Sequence, residues 1–435
     1  MTDAAACLEA AFAAAMDRLG PYAPEPALAV AASGGADSTA LAVLAKGWAD
    51  SRQRRLCALV VDHGLRSESA AEAVVTVERV TRLGIPARLL TLTTLARGPA
   101  LAERARLARY QVLFEACREA GCRDLLLGHH AADQAETVAM RILRNSGTHG
   151  LAGMAASREV DGLRLLRPLL AFPPKLLRHY LTERGIGWIE DPSNRDLRAQ
   201  RPRLRQLFTG TLSEPTLLAL TQAISGVGRL RADEEAETAA ELAERAAIHP
   251  EGFALLSPGR ISEAALSNLV QTIGGAAYPP SPAQIAPLAA EPKPATLGGV
   301  RILPAGRLGP GWLVVREEAA IAPPIDATPG AVWDNRFRLI VTKGSLAGAT
   351  IGKLGADAAR FRARSNLPSI VLRTLPAIRL GKIVAAVPHL GYGIREDDVQ
   401  IAVPFVPVTP VAGSRFVPAD AAGPNQPASK MPSGL

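Results

Sequence analysis

The chain has 435 residues, 48% of them hydrophobic, 21% charged and 4% aromatic, with a formal net charge of +8. That length exceeds one ordinary core, so two or three domains with mostly aliphatic interiors are expected. No apolar run reaches the roughly 18 to 20 residues a membrane helix needs, which excludes a helical membrane protein, and the positive balance favours a polyanionic partner.

Residues 1–20, MTDAAACLEAAFAAAMDRLG, are alanine-rich but carry Asp3, Glu9 and Asp17. They are expected to form an amphipathic helix and not a signal peptide. From residue 27 to about 184, short aliphatic runs alternate with helix-like segments. ALAVAA, LCALVVD, ARLLTL and DLLLG read as buried parallel strands. Residues 37–50, 67–83, 100–120 and 133–144 read as the helices between them. This order predicts a doubly wound α/β domain with a parallel sheet. Ligands then bind beyond the carboxyl ends of the strands. Three motifs fall on that rim: SGGADS after the first strand, VDHGLR after the second and GHH after the fourth.

The four cysteines, Cys7, Cys57, Cys117 and Cys122, sit in apolar settings. The CxxxxC pair at 117 and 122 has no companion cluster and is poor zinc or iron–sulfur spacing. Buried, reduced thiols of a cytosolic protein are expected. After residue 185 the chain becomes polar and arginine-dense. Residues 214–248 have helical periodicity, a second helical piece covers about 261–273, and 278–294 is proline-rich and reads as a linker. VRILPA, WLVVRE, FRLIVT and KIVAAVP are strand-like and suggest a small β-rich domain. The expected division is a catalytic domain over 1–210, a helical domain over 211–293, a β-rich domain over 294–416 and a disordered tail over 417–435.

Ser33-Gly34-Gly35-Ala36-Asp37-Ser38 is not a Walker A loop, because no GK[ST] follows. It is a glycine turn opening a helix, where backbone N–H groups and the helix dipole favour an anion. Asp37 beside an anion is tolerable when a magnesium ion lies between them. Asp133 and Glu136 lie three apart on a predicted helix and face the same way, after His129 and His130 at a strand end. The ordinary alternative is a solvated helix N-terminus, where acids are favoured by the dipole. Arg106, Arg109 and Tyr110 share one helix face, although Arg106 is also spaced to pair with Glu103. Arg195, Arg198, Arg201, Arg203 and Arg205 crowd one connector, which suits RNA phosphates better than a plain solvated loop.

SGGADS resembles the pyrophosphate-gripping loop of the PP-loop, or N-type ATP pyrophosphatase, superfamily. Together with VDHGLR, ERARLARY (103–110), GHHAADQAETVAMRILRNSGTHGLAGM (128–154), RPLL (167–170) and DPSNRDLRAQRPRLR (191–205), it resembles the tRNA(Ile)-lysidine synthetases. The resemblance covers residues 27–205 strongly and the remainder loosely. It implies ligation of free L-lysine to the 2-carbon of the wobble cytidine in a CAU-anticodon tRNA(Ile), with ATP cleaved to AMP and pyrophosphate. It implies ATP and Mg²⁺ at Ser33–Ser38 with Asp37 on the metal. Asp37, Asp133, Glu136, His129 and Arg106 would then be catalytic, and Arg109, Arg195, Arg201 and Arg205 would bind tRNA. A contact between the β-rich part and the tRNA follows from the same resemblance; a cytoplasmic location, in line with the reduced thiols, and a homodimer are carried as expectations. The target base must also leave its stack to react. Three positions depart from the family pattern: Ala132 replaces an aspartate, Asn145 a glycine, and RPRLR stands where RNxxR is usual. A tRNA thiolase and an inactive tRNA-binding module are the competing readings. The first usually needs paired cysteines, which are missing beside the loop. The second has no use for a pyrophosphate grip.

Overall fold

The first sheet is built from β1 (Leu28–Ala31), β2 (Leu56–Asp62), β3 (Ala87–Thr91), β4 (Asp124–Leu126), β5 (Ser157–Val160) and β6 (Leu163–Leu166). Its spatial order is β3-β2-β1-β4-β6-β5, parallel throughout except for the β5–β6 hairpin. In this computed structural model the described residues are 3–22, 27–64, 68–92, 101–160, 162–190, 200–211, 213–393 and 399–419. The chain forms two compact units, residues 1–233 with 416–435, and residues 234–415.

Strand β1 shows why this sheet is covered on both sides. Leu28 and Val30 point into one core and Ala29 into the other, as the two-residue period of a strand requires. The first core is covered by α1 (Asp3–Leu19), α2 (Ala36–Ser51), α3 (Ser69–Arg82) and, further along, the helix Pro174–Glu183. Leu41 and Leu44 of α2 are buried there, each contributing roughly 2 kcal/mol by leaving water. The second core is closed by α4 (Leu101–Glu119), through Leu113 and Phe114 against Leu163 and Leu165 of β6. The helix α5 (Ala131–Leu143) follows β4. After it come the short α6 (Thr148–Leu151), α7 (Pro174–Glu183), α8 (Gln200–Thr211) and α9 (Glu214–Arg245). The doubly wound parallel sheet expected from the sequence is therefore present, with the additional hairpin β5–β6 at its edge.

β1 lies between β2 and β4, with chain connections leaving in opposite directions, so the crevice at its carboxyl end is the switch point of the sheet. Loop 32–36 and the end of β4 both open onto it.

The second unit departs from the expected division. The helical run at 214–248 ends three residues early, because β7 (Ala246–Ile248) pairs with β8 (Phe253–Leu256). These strands join β9 (Ala295–Leu297), β10 (Val300–Pro304) and β11 (Trp312–Arg316) in the order β7-β8-β11-β10-β9. Residues 234–293 thus belong to the same unit as 294–415, and residues 214–233 belong to the first. The segment read as a linker contains α11 (Pro282–Ala290), which follows α10 (Glu263–Gly274). Pro282 occupies the first turn, where its missing N–H costs nothing, and Ile285, Leu288 and Ala289 are buried. A further antiparallel sheet holds β12 (Ile325–Asp326), then past the short strands β13 (Val332–Trp333), β14 (Phe337–Arg338) and β15 (Ile340–Lys343) come β16 (Ala349–Lys353), β17 (Pro376–Leu380), β18 (Ile383–Val387) and β19 (Tyr392–Gly393). Phe416, expected to end the β-rich domain, and Val417–Ala419, from the expected tail, belong to the first unit, where the Ala156 N–H donates to the Val417 carbonyl at 2.7 Å; residues 420–435 lie outside the described residues. Among the described residues no helix is long and apolar enough to cross a membrane.

Candidate active site

The turn after β1 closes on itself before it can close on anything else. The Ser33 N–H donates to Ser38 Oγ at 3.1 Å, the two serine hydroxyls lie 3.1 Å apart, and the Ser38 hydroxyl donates to the Gly35 carbonyl at 3.1 Å. Gly34 has φ +84°, and a Cβ there would stand 2.3 Å from Thr76 Oγ1 on α3. Only glycine meets both the backbone conformation and the close approach of α3. The Ile189 N–H bonds to the Gly34 carbonyl at 2.8 Å, so a segment distant in sequence braces the turn. Ala36 is the first residue of α2, and Asp37 stands in that helix's first turn.

Gly128 draws the end of β4 against this turn: a Cβ there would lie 3.2 Å from the Ser38 backbone. The chain then enters α5 with His130 in extended conformation as its N-cap. Asp133 turns back so that Oδ2 accepts the His130 N–H at 3.1 Å. His130 Nε2 stands 3.4 Å from Asp37 Oδ2 and 3.7 Å from Asp133 Oδ2. One turn further along, Glu136 is fully buried at 0% exposure. Arg205 of α8 donates through Nε to Glu136 Oε1 at 2.6 Å and contacts Asp133 Oδ1 at 3.1 Å. A continuous chain of charge thus runs Asp37–His130–Asp133–Arg205–Glu136.

Its electrostatics follow from burial and partners. Burial opposes charge on His130, but Asp37 and Asp133 outweigh it and hold its pKa above the ordinary imidazole value. Burial likewise pushes Asp133 up, and the imidazoles of His130 and His129, the His130 N–H and Arg205 together hold its carboxyl below the usual range. Arg205 is half-buried and stays charged, its pKa raised because its partners exceed the desolvation cost.

The structure brings together Ser33–Ser38, Asp37, Asp133, Glu136 and Arg205. Arg205, expected to face RNA phosphate, instead pairs with the two carboxylates. His130, which the sequence reading passed over in favour of His129, makes the direct contacts to Asp37 and Asp133; His129 acts on Asp133 through its charge. The adjacent histidines gave no sign of which would turn inward, since that depends on where the strand ends. Arg106 and Arg109 lie on α4 and take no part in this chain among the described contacts. Arg195 lies outside the described residues, as does the side chain of Arg201. Asp62 was not singled out, yet its Oδ1 accepts from the Gly64 N–H at 2.9 Å and from the Ser69 hydroxyl at 2.6 Å, tying the VDHG turn to α3. Similarly, the Gln134 amide brackets the Met154 backbone, and Arg141 donates to the Gly150 and Gly153 carbonyls. Much of the 128–154 motif therefore holds α5 in place.

Residues 8–211 match the family model described as a PP-loop domain. A tRNA(Ile)-lysidine synthase from Ruegeria pomeroyi is 34% identical over 379 residues, covering 84% of this chain and 88% of that protein. The chain belongs to the tRNA(Ile)-lysidine synthase family. A second tRNA(Ile)-lysidine synthase, from Mesorhizobium japonicum, is 35% identical over 410 residues, with 89% and 88% coverage. A third, from a Bradyrhizobium species, is 39% identical over 254 residues, 58% of this chain and 69% of its own. Among solved structures, a U34-tRNA thiolase from Methanococcus maripaludis with its [4Fe-4S] cluster aligns over 51% of this chain and 79% of its own at TM-score 0.43 and 18% identity. Membership of the lysidine synthase family makes the chain an ATP-dependent ligase of tRNA modification built on a PP-loop domain.

Proposed function

We propose that this chain joins the ε-amine of free lysine to C2 of the wobble cytidine in a CAU-anticodon tRNA(Ile), with ATP converted to AMP and pyrophosphate. The observation that carries the reading is the chain of contacts linking Asp37 of the phosphate-type turn to Asp133, Arg205 and Glu136, in a protein of this family. The Ser33–Ser38 turn opens α2, where N–H groups and the helix dipole favour the β and γ phosphates of ATP. Asp37 suits a magnesium ion: its Oδ1 is buried and has no hydrogen-bond partner among the described residues. When bound there, the ion supplies positive charge against the phosphate oxygens.

Two displacements complete the reaction. The cytidine 2-oxygen attacks the α phosphorus and pyrophosphate leaves; the lysine amine then attacks C2 and AMP leaves with the oxygen. The 2-oxygen is a poor leaving group until adenylated, which is why the phosphate turn and the carboxylates must share one crevice. Asp133 and Glu136 supply negative charge for the substrate ammonium and an acceptor for the proton the amine must lose. Arg205 orients both carboxylates through its planar fork. We assign the tRNA surface to the arginines of residues 195–205 and to Arg109, and place the reaction in the cytoplasm.

The test is incubation with ATP, Mg²⁺, labelled lysine and tRNA(Ile) or tRNA(Met), both with CAU anticodons. AMP, pyrophosphate and label in tRNA(Ile) alone are expected. ADP would indicate phosphoryl transfer, sulfur incorporation a thiolase, and no turnover a binding module; each overturns the reading.

A further inference from the structure

A second basic cluster lies on the α4 side of the sheet, and none of its described contacts involves the Asp37–Glu136 chain. Arg106 donates to the Tyr110 hydroxyl at 3.4 Å, and its guanidinium carbon stands 5.2 Å from the Tyr110 ring centre. The Arg109 guanidinium stands 5.7 Å from the same ring. Arg167, just past the end of β6, is 7% exposed. One of its terminal nitrogens donates to the Ala155 carbonyl at 2.8 Å, while its Nε is buried with no hydrogen-bond partner among the described residues. Arg158 reaches this face through strand register. It sits opposite Leu165 on the antiparallel β5–β6 pair, and Leu165 packs with Leu113 and Phe114 of α4. Directly opposed residues share a face.

Arg106, Arg109 and Arg167 thus act on one phenol, and Arg158 lies near enough to Arg167 to act on its charge, which brings four guanidiniums to this face. Among the described residues none of the four is ion-paired with a carboxylate, and the Glu103–Arg106 pair that their spacing allows is not formed. Burial lowers the pKa of Arg109 and of Arg167, and the neighbouring arginines lower both further. Like charges held this close, with one buried donor unused, are stabilised when an anion enters. The planar fork of arginine suits phosphate oxygens.

We propose that Arg106, Arg109, Arg158 and Arg167 form a phosphate-binding site filled by a backbone phosphodiester of the RNA substrate, with the Tyr110 hydroxyl at its centre. The source favoured is RNA because Arg106 and Arg158 are exposed, whereas the phosphates of the nucleotide already have the Ser33–Ser38 turn. The proposal rests on the reading above in taking tRNA as the polyanion and in giving the nucleotide phosphates to the Ser33–Ser38 turn.

The test measures affinity of the full chain for tRNA(Ile) over a salt series, without ATP, for the wild type, Arg158→Gln, Arg109→Gln and Arg167→Lys. Loss of one charged contact is expected to weaken binding by about tenfold and to lower the slope of log K against log salt by about one. Circular dichroism checks that each variant is folded; where Arg167→Lys loses its fold with the Ala155 contact, the exposed Arg158→Gln decides. Unchanged affinity and slope in folded Arg158→Gln and Arg109→Gln overturn the site. A raised KM for ATP with tRNA affinity intact assigns it to nucleotide phosphate and overturns the RNA source. The two readings fail separately: wild type that binds tRNA through these arginines but releases no pyrophosphate refutes the proposed reaction and leaves this site standing.

Discussion

Arg205 Nε lies 2.6 Å from Glu136 Oε1, and Glu136 has no exposure to solvent. That guanidinium offsets part of the cost of burying the carboxylate. Arg205→Ala is expected to destabilise the first unit by about 2 kcal/mol, below the usual range for breaking a buried pair because the arginine is itself partly exposed. Arg205→Lys keeps the charge but loses the fork to Asp133 and Glu136. It should retain stability better and still lose roughly tenfold or more in lysine incorporation. Denaturant midpoints alongside turnover check this, and equal stability of wild type and Arg205→Ala would remove the pair from the account.

Asp37→Asn removes the charge that faces both His130 and the expected magnesium ion while keeping the shape. Pyrophosphate release is expected to fall by about a hundredfold or more, with tRNA affinity within about twofold of wild type because phosphate contacts dominate that affinity. Loss of tRNA binding in parallel would give the turn a structural or RNA role.

Gly34→Ala places a methyl 2.3 Å from Thr76 Oγ1 at φ +84°. The combined clash and left-handed strain should cost about 1–3 kcal/mol. Adding Thr76→Ala relieves the clash but not the backbone strain, so the double variant should recover part of the loss. Melting temperatures of the two variants are the measurement; full recovery would show that the conformation at Gly34 is not strained for alanine.

In the second unit His389 Nε2 lies 3.0 Å from the Pro250 carbonyl, with Phe337 edge-on at 5.5 Å. Burial pulls its pKa below the ordinary imidazole value, with the Pro250 bond and Glu251 only partly opposing. The unfolded chain therefore binds the proton more readily than the folded one. Stability from this site is complete above the unfolded pKa of about 6.5 and declines as pH falls from there towards the depressed folded value. Between about pH 8 and pH 5 the wild type should lose melting temperature relative to His389→Gln. A constant difference across that range would count against the assignment.

The alternation of aliphatic runs and helices made β1 to β4 and α1 to α5 legible, because β1, β2 and β4 are aliphatic and largely buried, and the edge strand β3 still carries the buried Leu90 in an aliphatic run. The hairpin β5–β6 was not, since strands of four residues carry too little periodicity to stand out. Likewise, β7 sits at the end of a helical run whose residues Ala246–Ile248 have no local reason to leave the helix; pairing with β8 decides it. In α11 the prolines read as a linker, and burial of Ile285 and Leu288 overrides them.

The chemistry divides in the same way. Residue types and spacing alone placed a glycine-serine turn before a helix and set Asp133 and Glu136 on one helical face, because those features are local. Which histidine turns to Asp37, and whether Arg205 meets RNA or carboxylates, are decided only by the packing of β4 and α8 around the turn. Contacts between residues 70 positions apart leave no mark in local pattern; they exist only once the sheet has brought the elements together.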